Sequence, residues 1–185
     1  RPQKHTIKSS PFAQELTQAH NYLAQITAMA QQAPADSVAH TRLTLLTDRV
    51  RDWVNHIEEI IQRTTAHQDD PLLAADRKEV PEAIKRLEKQ LKKAKDPTLR
   101  QKLERTLENR RKQLAQLQQA DTQQQLTALK VENTLAQLGL IYSQLHSTHV
   151  TAEQGGYERL TAEIEEEIHT LDDYLATLQE LQAPA

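Results

Sequence analysis

Residues 97–147, PTLRQKLERTLENRRKQLAQLQQADTQQQLTALKVENTLAQLGLIYSQLHS, decide the fold of this chain. From Leu103 to Leu145 a seam of mainly apolar positions recurs at alternating spacings of three and four residues, the heptad pattern of one amphipathic helix. Pro97 suits the first helical position, and the Asp96 carboxylate can cap the amides of the first turn. The spacing therefore predicts a helix over about 97–147, roughly 75 Å long at about 1.5 Å per residue.

Two helices precede this stretch. The same three-four spacing predicts a first helix from about Ser10 to Ala33, which Pro34 stops. Asp36 is then expected to cap a second helix that ends near His67. Because the connection between them is short, the two helices are predicted to be antiparallel neighbours.

Proline and glycine separate the remaining helices. Residues 68–78 are predicted to be a linker in which Asp70-Pro71 can start a short helical turn, because Pro81 opposes a continuous helix through it. A short third helix is expected from Pro81 to the Asp96-Pro97 stop. Gly155-Gly156 is expected to close the turn after the long helix, and a fifth helix then carries the heptad pattern from Tyr157 to Leu178.

The composition excludes several classes of protein. The chain has 185 residues, no Cys, three Gly and six aromatic residues. This composition excludes a disulfide scaffold, a cysteine zinc site and a glycine-rich nucleotide fold. No stretch approaches the roughly 20 apolar residues of a membrane span. The chain is therefore predicted to be all-α.

The aromatic residues divide the chain, because all six lie outside residues 77–112. We predict one domain over 1–185, in which residues 10–67 and 121–182 form a four-helix bundle. Residues 79–118 would form a protruding, antiparallel two-helix coiled-coil arm. The long helix turns polar at Asp121, where one packing partner is expected to end and another to begin. Gly139 either admits a neighbouring backbone or is a tolerated helix glycine.

Charge is segregated along the same boundary. Residues 77–112 hold fourteen basic and six acidic side chains, a net charge of +8, whereas the rest holds nine basic and twenty acidic ones, a net charge of −11. Such an asymmetry can steer an acidic partner to the arm. The candidate partner-binding residues of the basic arm are Lys85, Lys89, Lys92, Lys93, Arg100 and Arg105.

Other interpretations of the charge stay open. Glu88 with Lys92, and Glu108 with Lys112, have the spacing of helical ion pairs, so the arm can be an ordinary solvated face. The basic arm can also dock on the acidic bundle of a second copy, which leaves a homo-oligomer open. Nucleic acid is disfavoured as a partner, because the arm has no aromatic side chain for base stacking.

A metal site is the alternative from a different functional class. Glu166 and His169 have the Glu-x-x-His spacing of helical-bundle metal sites, with His20 or His56 as further candidate ligands. His146 and His149 with Glu153 form a second candidate cluster. Ordinary exposed polar residues explain both clusters better, and no motif for a nucleophile or phosphate loop occurs. We therefore expect no catalytic residue, no bound metal and no cofactor.

Four segments carry a family resemblance, namely EVPEAIKRL (79–87), DPTLR (96–100), LERTLENRRKQL (103–114) and NTLAQLGLIYSQL (133–145). They resemble uncharacterised bacterial coiled-coil proteins, some of them membrane-attached. The resemblance implies no catalytic residue. It does favour a membrane anchor outside this chain, for which the basic residues Arg1, Lys4 and Lys8 would suit a juxtamembrane position.

These observations together favour a non-enzymatic interaction or scaffolding domain. We expect it to be cytoplasmic, the soluble part of a larger or membrane-attached protein, and to contact a protein partner or an anionic membrane surface through the basic arm. The alternatives are a helical-bundle protein that binds a metal or small ligand, and a structural spacer with no ligand.

Overall fold

The computed structural model describes residues 12–65, 70–147 and 154–182. These residues form five helices, and no strand occurs among them. The helices are α1 (Ala13–Gln32), α2 (Val38–Thr65), α3 (Pro71–Lys93), α4 (Pro97–His146) and α5 (Gln154–Gln182). The all-α fold and the long fourth helix are confirmed.

The chain divides into two compact units. The bundle unit combines the described residues up to Arg63 with those from Thr127 onward, and the hairpin unit is Thr64–Leu126. The division falls within α4, which is one continuous helix through Asp121.

The bundle unit is a four-helix bundle. Its core takes apolar side chains from α1, α2, α5 and the second half of α4, and Ile26, Trp53, Leu138 and Ile164 are fully buried, one from each helix. These residues lie on the seams that the heptad spacing predicts, because burial of an apolar face is what stabilises an amphipathic helix.

Polar contacts define the directions of the helices in the bundle unit. Three pairs join α2 to α5, each separated by 116 residues, with successive pairs seven residues apart. The pairs are Arg49 with Glu165, His56 with Asp172, and Arg63 with Gln179. A constant separation means that α2 and α5 run parallel. Between α4 and α5, Thr127 bonds Tyr174 at 2.7 Å and Gln137 donates to Glu167, which makes those two helices antiparallel.

Tyr22 explains the glycine in α4. A Cβ at Gly139 would lie 3.0 Å from Tyr22 Oη and 3.4 Å from Tyr22 Cζ. The missing side chain therefore makes room for an aromatic ring of α1 and not for a neighbouring backbone. Tyr22 also packs on Tyr142 with ring centroids 5.5 Å apart, so α1 and α4 are neighbours.

The hairpin unit packs α3 against the first half of α4. Its small apolar cluster is centred on Val80, Ile84, Leu107 and Leu117. Asp96 caps α4 as predicted, because its Oδ2 accepts from the Leu99 amide at 2.9 Å.

The predicted linker over 68–78 is wrong from residue 71 onward, because α3 begins at Pro71 and continues through Pro81. An interior proline removes a backbone hydrogen bond at a cost of about 3 kcal/mol. Tertiary contacts on the preceding turn offset that cost. Asp76 Oδ2 accepts from Gln113 Nε2 at 2.8 Å, Arg77 Nε donates to Asp121 Oδ1 at 2.9 Å, and Val80 is fully buried.

Two predicted helix ends also differ. Ser37, not Asp36, caps α2, because Ser37 Oγ accepts from the His40 amide at 3.0 Å. Gly155 and Gly156 do not close a turn before α5 but lie within its first turn. Neither glycine has a positive φ angle.

Candidate functional site

The six predicted partner-binding residues are all exposed on the hairpin unit. Lys85, Lys89, Lys92 and Lys93 lie on α3, and Arg100 and Arg105 lie on α4. A helix repeats every 3.6 residues, so residues three, four and seven positions apart share a face. The structure therefore groups some of these side chains and separates others.

One face of α3 carries a run of cations. Lys85, Arg86, Lys89 and Lys93 line a shallow groove together with Glu82 and Gln90. We call these four cations the basic stripe. It extends over about 12 Å of helix. Arg86 was not among the six predicted residues, although its spacing of three and seven residues from Lys89 and Lys93 places it on their face.

Lys92 lies in a different environment. It lines a groove between α3 and α4 together with Glu88, Glu104 and Glu108, and with Leu91, Leu107 and Arg111. Lys92 thus lies on the side of α3 that faces α4, whereas the basic stripe lines a separate groove. Lys92 therefore does not belong to the basic stripe.

Ion pairs balance part of the charge on α4. Arg100 lies 3.9 Å from Glu104, and Lys112 pairs with Glu108 at 2.9 Å as the spacing predicts. Lys112 lowers the pKa of the Glu108 carboxyl by its hydrogen bond and its charge, and Arg105 adds to this effect.

The Glu88 carboxylate does not pair with Lys92 as expected. It accepts from Arg111 Nη2 at 2.7 Å, across from α4 to α3. The predicted pair of Glu88 with Lys92 is therefore wrong, because a cation on the facing helix binds this carboxylate.

The basic stripe contains one ion pair. Lys85 Nζ lies 2.9 Å from Glu82 Oε1, which lowers the pKa of Glu82 and raises the pKa of Lys85 through a hydrogen bond and charge attraction. No described carboxylate lies within the 4.0 Å of an ion pair from Arg86, Lys89 or Lys93. These three cations are therefore exposed and available to an external anion.

The geometry of the stripe suits an extended anion. Its cations sit on long, flexible side chains over a shallow groove, and residues 70–126 contain no aromatic residue. A small ligand needs a concave pocket that buries most of its surface. A row of exposed cations attracts an anionic surface or an acidic segment through charge alone.

The predicted metal ligands do not come together in the part of the chain that the structure describes. No group of three His, Asp or Glu side chains with metal-binding geometry occurs there. Glu166 and His169 are exposed, and His169 lies 3.8 Å from Asp173. His20 is exposed on α1, whereas both ring nitrogens of His56 are engaged, with Asp172 and with the Asp52 carbonyl.

The second predicted cluster is described in part. The His146 ring packs on the Tyr142 ring with centroids 4.8 Å apart. His149 and Glu153 lie outside the described residues, as do Arg1, Lys4 and Lys8.

Comparisons with protein-family models, with curated proteins and with solved structures found no match to this chain. The resemblance to bacterial coiled-coil proteins therefore stays an expectation. Among the described residues, no helix combines the length and apolar character needed to cross a membrane.

Proposed function

We propose that this chain is a non-enzymatic helical interaction or scaffolding domain that contacts an acidic partner or anionic surface through the basic stripe of its hairpin unit. We further propose that it serves as the cytoplasmic part of a larger or membrane-attached protein. The observation that carries the proposal is the exposed, unbalanced charge of Arg86, Lys89 and Lys93.

Charge segregation supports this proposal. The +8 net charge of residues 77–112 contrasts with −11 for the rest of the chain. An ordinary solvated helix mixes both signs, and Glu88, Glu104 and Glu108 provide that mixture beside α4. The stripe on α3 has one carboxylate, Glu82, against four cations. Unbalanced cations on one helix face are typical of a surface that recognises anions.

The magnitude of the attraction suffices for measurable binding. Each Lys or Arg near an anionic membrane contributes about 1 kcal/mol, and the contribution is screened within a Debye length of about 10 Å at 0.1 M salt. Four cations on one face therefore support weak, salt-sensitive binding. Reversing two of them should reduce the affinity by at least about 30-fold.

Co-sedimentation with vesicles tests the proposal. The natural chain, K89E/K93E and R51E/R159E would be compared on phosphatidylserine-containing and neutral vesicles, from about 50 mM to about 500 mM salt. The control variant makes the same change in net charge but places it on exposed residues of the bundle unit. Soluble poly-glutamate would serve as the acidic polypeptide probe in a parallel titration.

Each outcome has a defined meaning. Salt-sensitive binding to anionic vesicles or to poly-glutamate, lost in K89E/K93E and kept in R51E/R159E, supports the stripe as the contact. The two probes separate a membrane surface from an acidic protein. Absence of binding to both probes at low salt, or equal loss in both variants, would overturn the proposal.

A further inference from the structure

The three polar pairs that join α2 to α5 have a histidine in the middle. The two outer pairs use the guanidinium groups of Arg49 and Arg63, which stay charged at every physiological pH. The middle pair is His56 with Asp172, one heptad away from each of the others. Histidine is the side chain whose charge ordinarily changes between about pH 5 and pH 8. Of the three α2 donors, His56 is therefore the one whose donor capacity depends on protonation.

Both ring nitrogens of His56 face hydrogen-bond acceptors. Nδ1 lies 2.6 Å from the Asp52 carbonyl oxygen, and Nε2 lies 2.7 Å from Asp172 Oδ1. A backbone carbonyl and an ionised carboxylate accept hydrogen bonds and donate none. A neutral imidazole has one N–H, so it donates to one of these oxygens and turns a lone pair toward the other. The imidazolium has two N–H groups and donates to both oxygens, so the arrangement fits the protonated ring.

Limited exposure makes the loss of either bond costly. The His56 side chain is 24% exposed, against 52% for Arg49 in the neighbouring pair. The Nδ1 contact holds the ring against its own helix, one turn back, which leaves Nε2 as the nitrogen that reaches α5. Loss of one ring proton therefore removes a hydrogen bond that solvent replaces only in part.

The charges around this pair are mostly negative. We consider the charged residues and histidines within one turn of the pair on α2 and α5, and the charged residues that α1 and the second half of α4 bring to the bundle unit. They are Asp52, Glu58 and Glu59 on α2, His169 and Asp173 on α5, Glu15 on α1, and Lys130 and Glu132 on α4. Carboxylates outnumber cations in this set, and nearby carboxylates favour a protonated imidazole.

We infer that His56 makes the contact between α2 and α5 dependent on protonation, because its imidazolium bridges the Asp52 carbonyl and the Asp172 carboxylate. The pair contributes fully to the free energy of unfolding at mildly acidic pH, where the ring is protonated in the folded and the unfolded chain. This contribution is lost as pH rises through the range in which histidine deprotonates. The inference is independent of the proposed function, because these residues lie in the bundle unit and not in the hairpin unit.

Double-mutant cycles at two pH values test the inference. The cycle of His56→Gln and Asp172→Asn isolates the coupling of this pair, because the other histidines are common to all four proteins. Urea denaturation followed by Trp53 fluorescence gives the unfolding equilibrium constants. We expect the coupling to change that constant by up to about fivefold at about pH 5.5, and by less than about twofold at about pH 8.5.

The matched control is the cycle of Arg49→Gln and Glu165→Gln. This pair joins the same two helices one heptad away. Arginine and glutamate ordinarily keep their charges between about pH 5.5 and about pH 8.5. The coupling of the control pair should therefore be equal at both pH values, which separates protonation of His56 from a general effect of pH on the bundle unit.

Proton NMR of the imidazole ring tests the geometry without any change in stability. At about pH 6, both ring N–H protons of His56 should be protected from exchange with water, because both are hydrogen-bonded. The exposed ring of His20 on α1 provides the unprotected reference. Asp172→Ala should abolish protection at Nε2 and leave it at Nδ1.

Several results would overturn the inference. One is a His56–Asp172 coupling that is absent at the lower pH, or equal at both pH values. Another is the absence of two protected ring protons from the natural chain. Far-UV circular dichroism would verify that each variant folds, and the NMR experiment on the natural chain requires no variant.

Discussion

Arg77 Nε donates a 2.9 Å hydrogen bond to Asp121 Oδ1, and this contact joins the turn of α3 before Pro81 to α4. Both side chains are partly exposed, so the pair itself stabilises the hairpin unit by no more than about 1 kcal/mol. The neighbouring bond from Gln113 to Asp76 and the buried Val80 side chain add to it. These contacts keep residues 71–80 helical despite the proline.

Replacement of Pro81 by alanine should therefore stabilise the hairpin unit. Alanine restores the missing amide and removes the ring from the helix interior, where proline costs about 3 kcal/mol relative to alanine. We expect Pro81→Ala to raise the free energy of unfolding by about 1–3 kcal/mol, measured by urea denaturation with helical circular dichroism.

The control for this experiment is Pro71→Ala. Pro71 occupies the first position of α3, where the amide of any residue has no intrahelical partner. Its replacement should therefore change the free energy of unfolding by less than about 0.5 kcal/mol. Destabilisation by Pro81→Ala would show that the proline ring makes a required contact.

Replacement of Gly139 by alanine should raise the free energy of unfolding by less than helix propensity suggests. Alanine in a helix interior is about 1 kcal/mol more favourable than glycine, but the new Cβ would meet Tyr22 Oη at 3.0 Å. We expect Tyr22→Phe, which removes that oxygen, to recover part of the gain. The measurement is a double-mutant cycle of Gly139→Ala and Tyr22→Phe followed by Trp53 fluorescence, because this single tryptophan is buried in the bundle core. Purely additive effects would contradict the contact.

The Glu82 and Lys85 pair should titrate with a defined sign. Lys85 lowers the pKa of Glu82 below 4.5, and Glu82 raises the pKa of Lys85 above 10.5. The pair therefore contributes to the free energy of unfolding between pH 4.5 and pH 10.5. It is lost as pH falls through the lowered pKa of Glu82 or rises through the raised pKa of Lys85.

Carboxyl NMR titration checks this prediction. The pKa of Glu82 should lie below 4.5 in the natural chain, and it should move back toward 4.5 in Lys85→Met. Lys112→Met is the control, because it should shift Glu108 and leave Glu82 unchanged. Equal titration of Glu82 in all three proteins would contradict the pair.

The contact between α2 and α5 should appear as a coupling free energy between charged residues on the two helices. Arg49 and Glu165 lie 3.2 Å apart and are both about half exposed. We expect Arg49→Glu and Glu165→Arg each to lower the free energy of unfolding, and the double swap to recover most of the loss. The coupling should be about 0.2–1 kcal/mol and should fall with salt. Zero coupling at low salt would exclude the contact.

Heptad spacing correctly predicted the buried face of each bundle helix, which depends on the sequence of that helix alone. The seams through Leu16, Trp53, Leu138 and Ile164 became the bundle core, because burial of an apolar face needs no knowledge of the partner. Pro81 was misjudged, because the contacts that offset its cost come from residues 113 and 121 of another helix.

The sequence indicated only part of the candidate site, because the grouping of its side chains depends on how α3 and α4 pack. The charge excess of residues 77–112 is a property of composition, and it drew attention to Lys85, Lys89 and Lys93. Lys92 falls outside the stripe because it lines the groove between α3 and α4, and this placement depends on how the two helices pack.

Backbone NMR would locate the anion contact residue by residue. Backbone amide shifts of the labelled natural chain would be recorded during titration with poly-glutamate and with phosphatidylserine-containing vesicles at low salt. The proposed function predicts that shift changes or line broadening concentrate on residues 82–93 of α3 and reverse as salt is added. Perturbations spread over the bundle unit, or absent from α3, would contradict the assignment of the basic stripe as the binding surface.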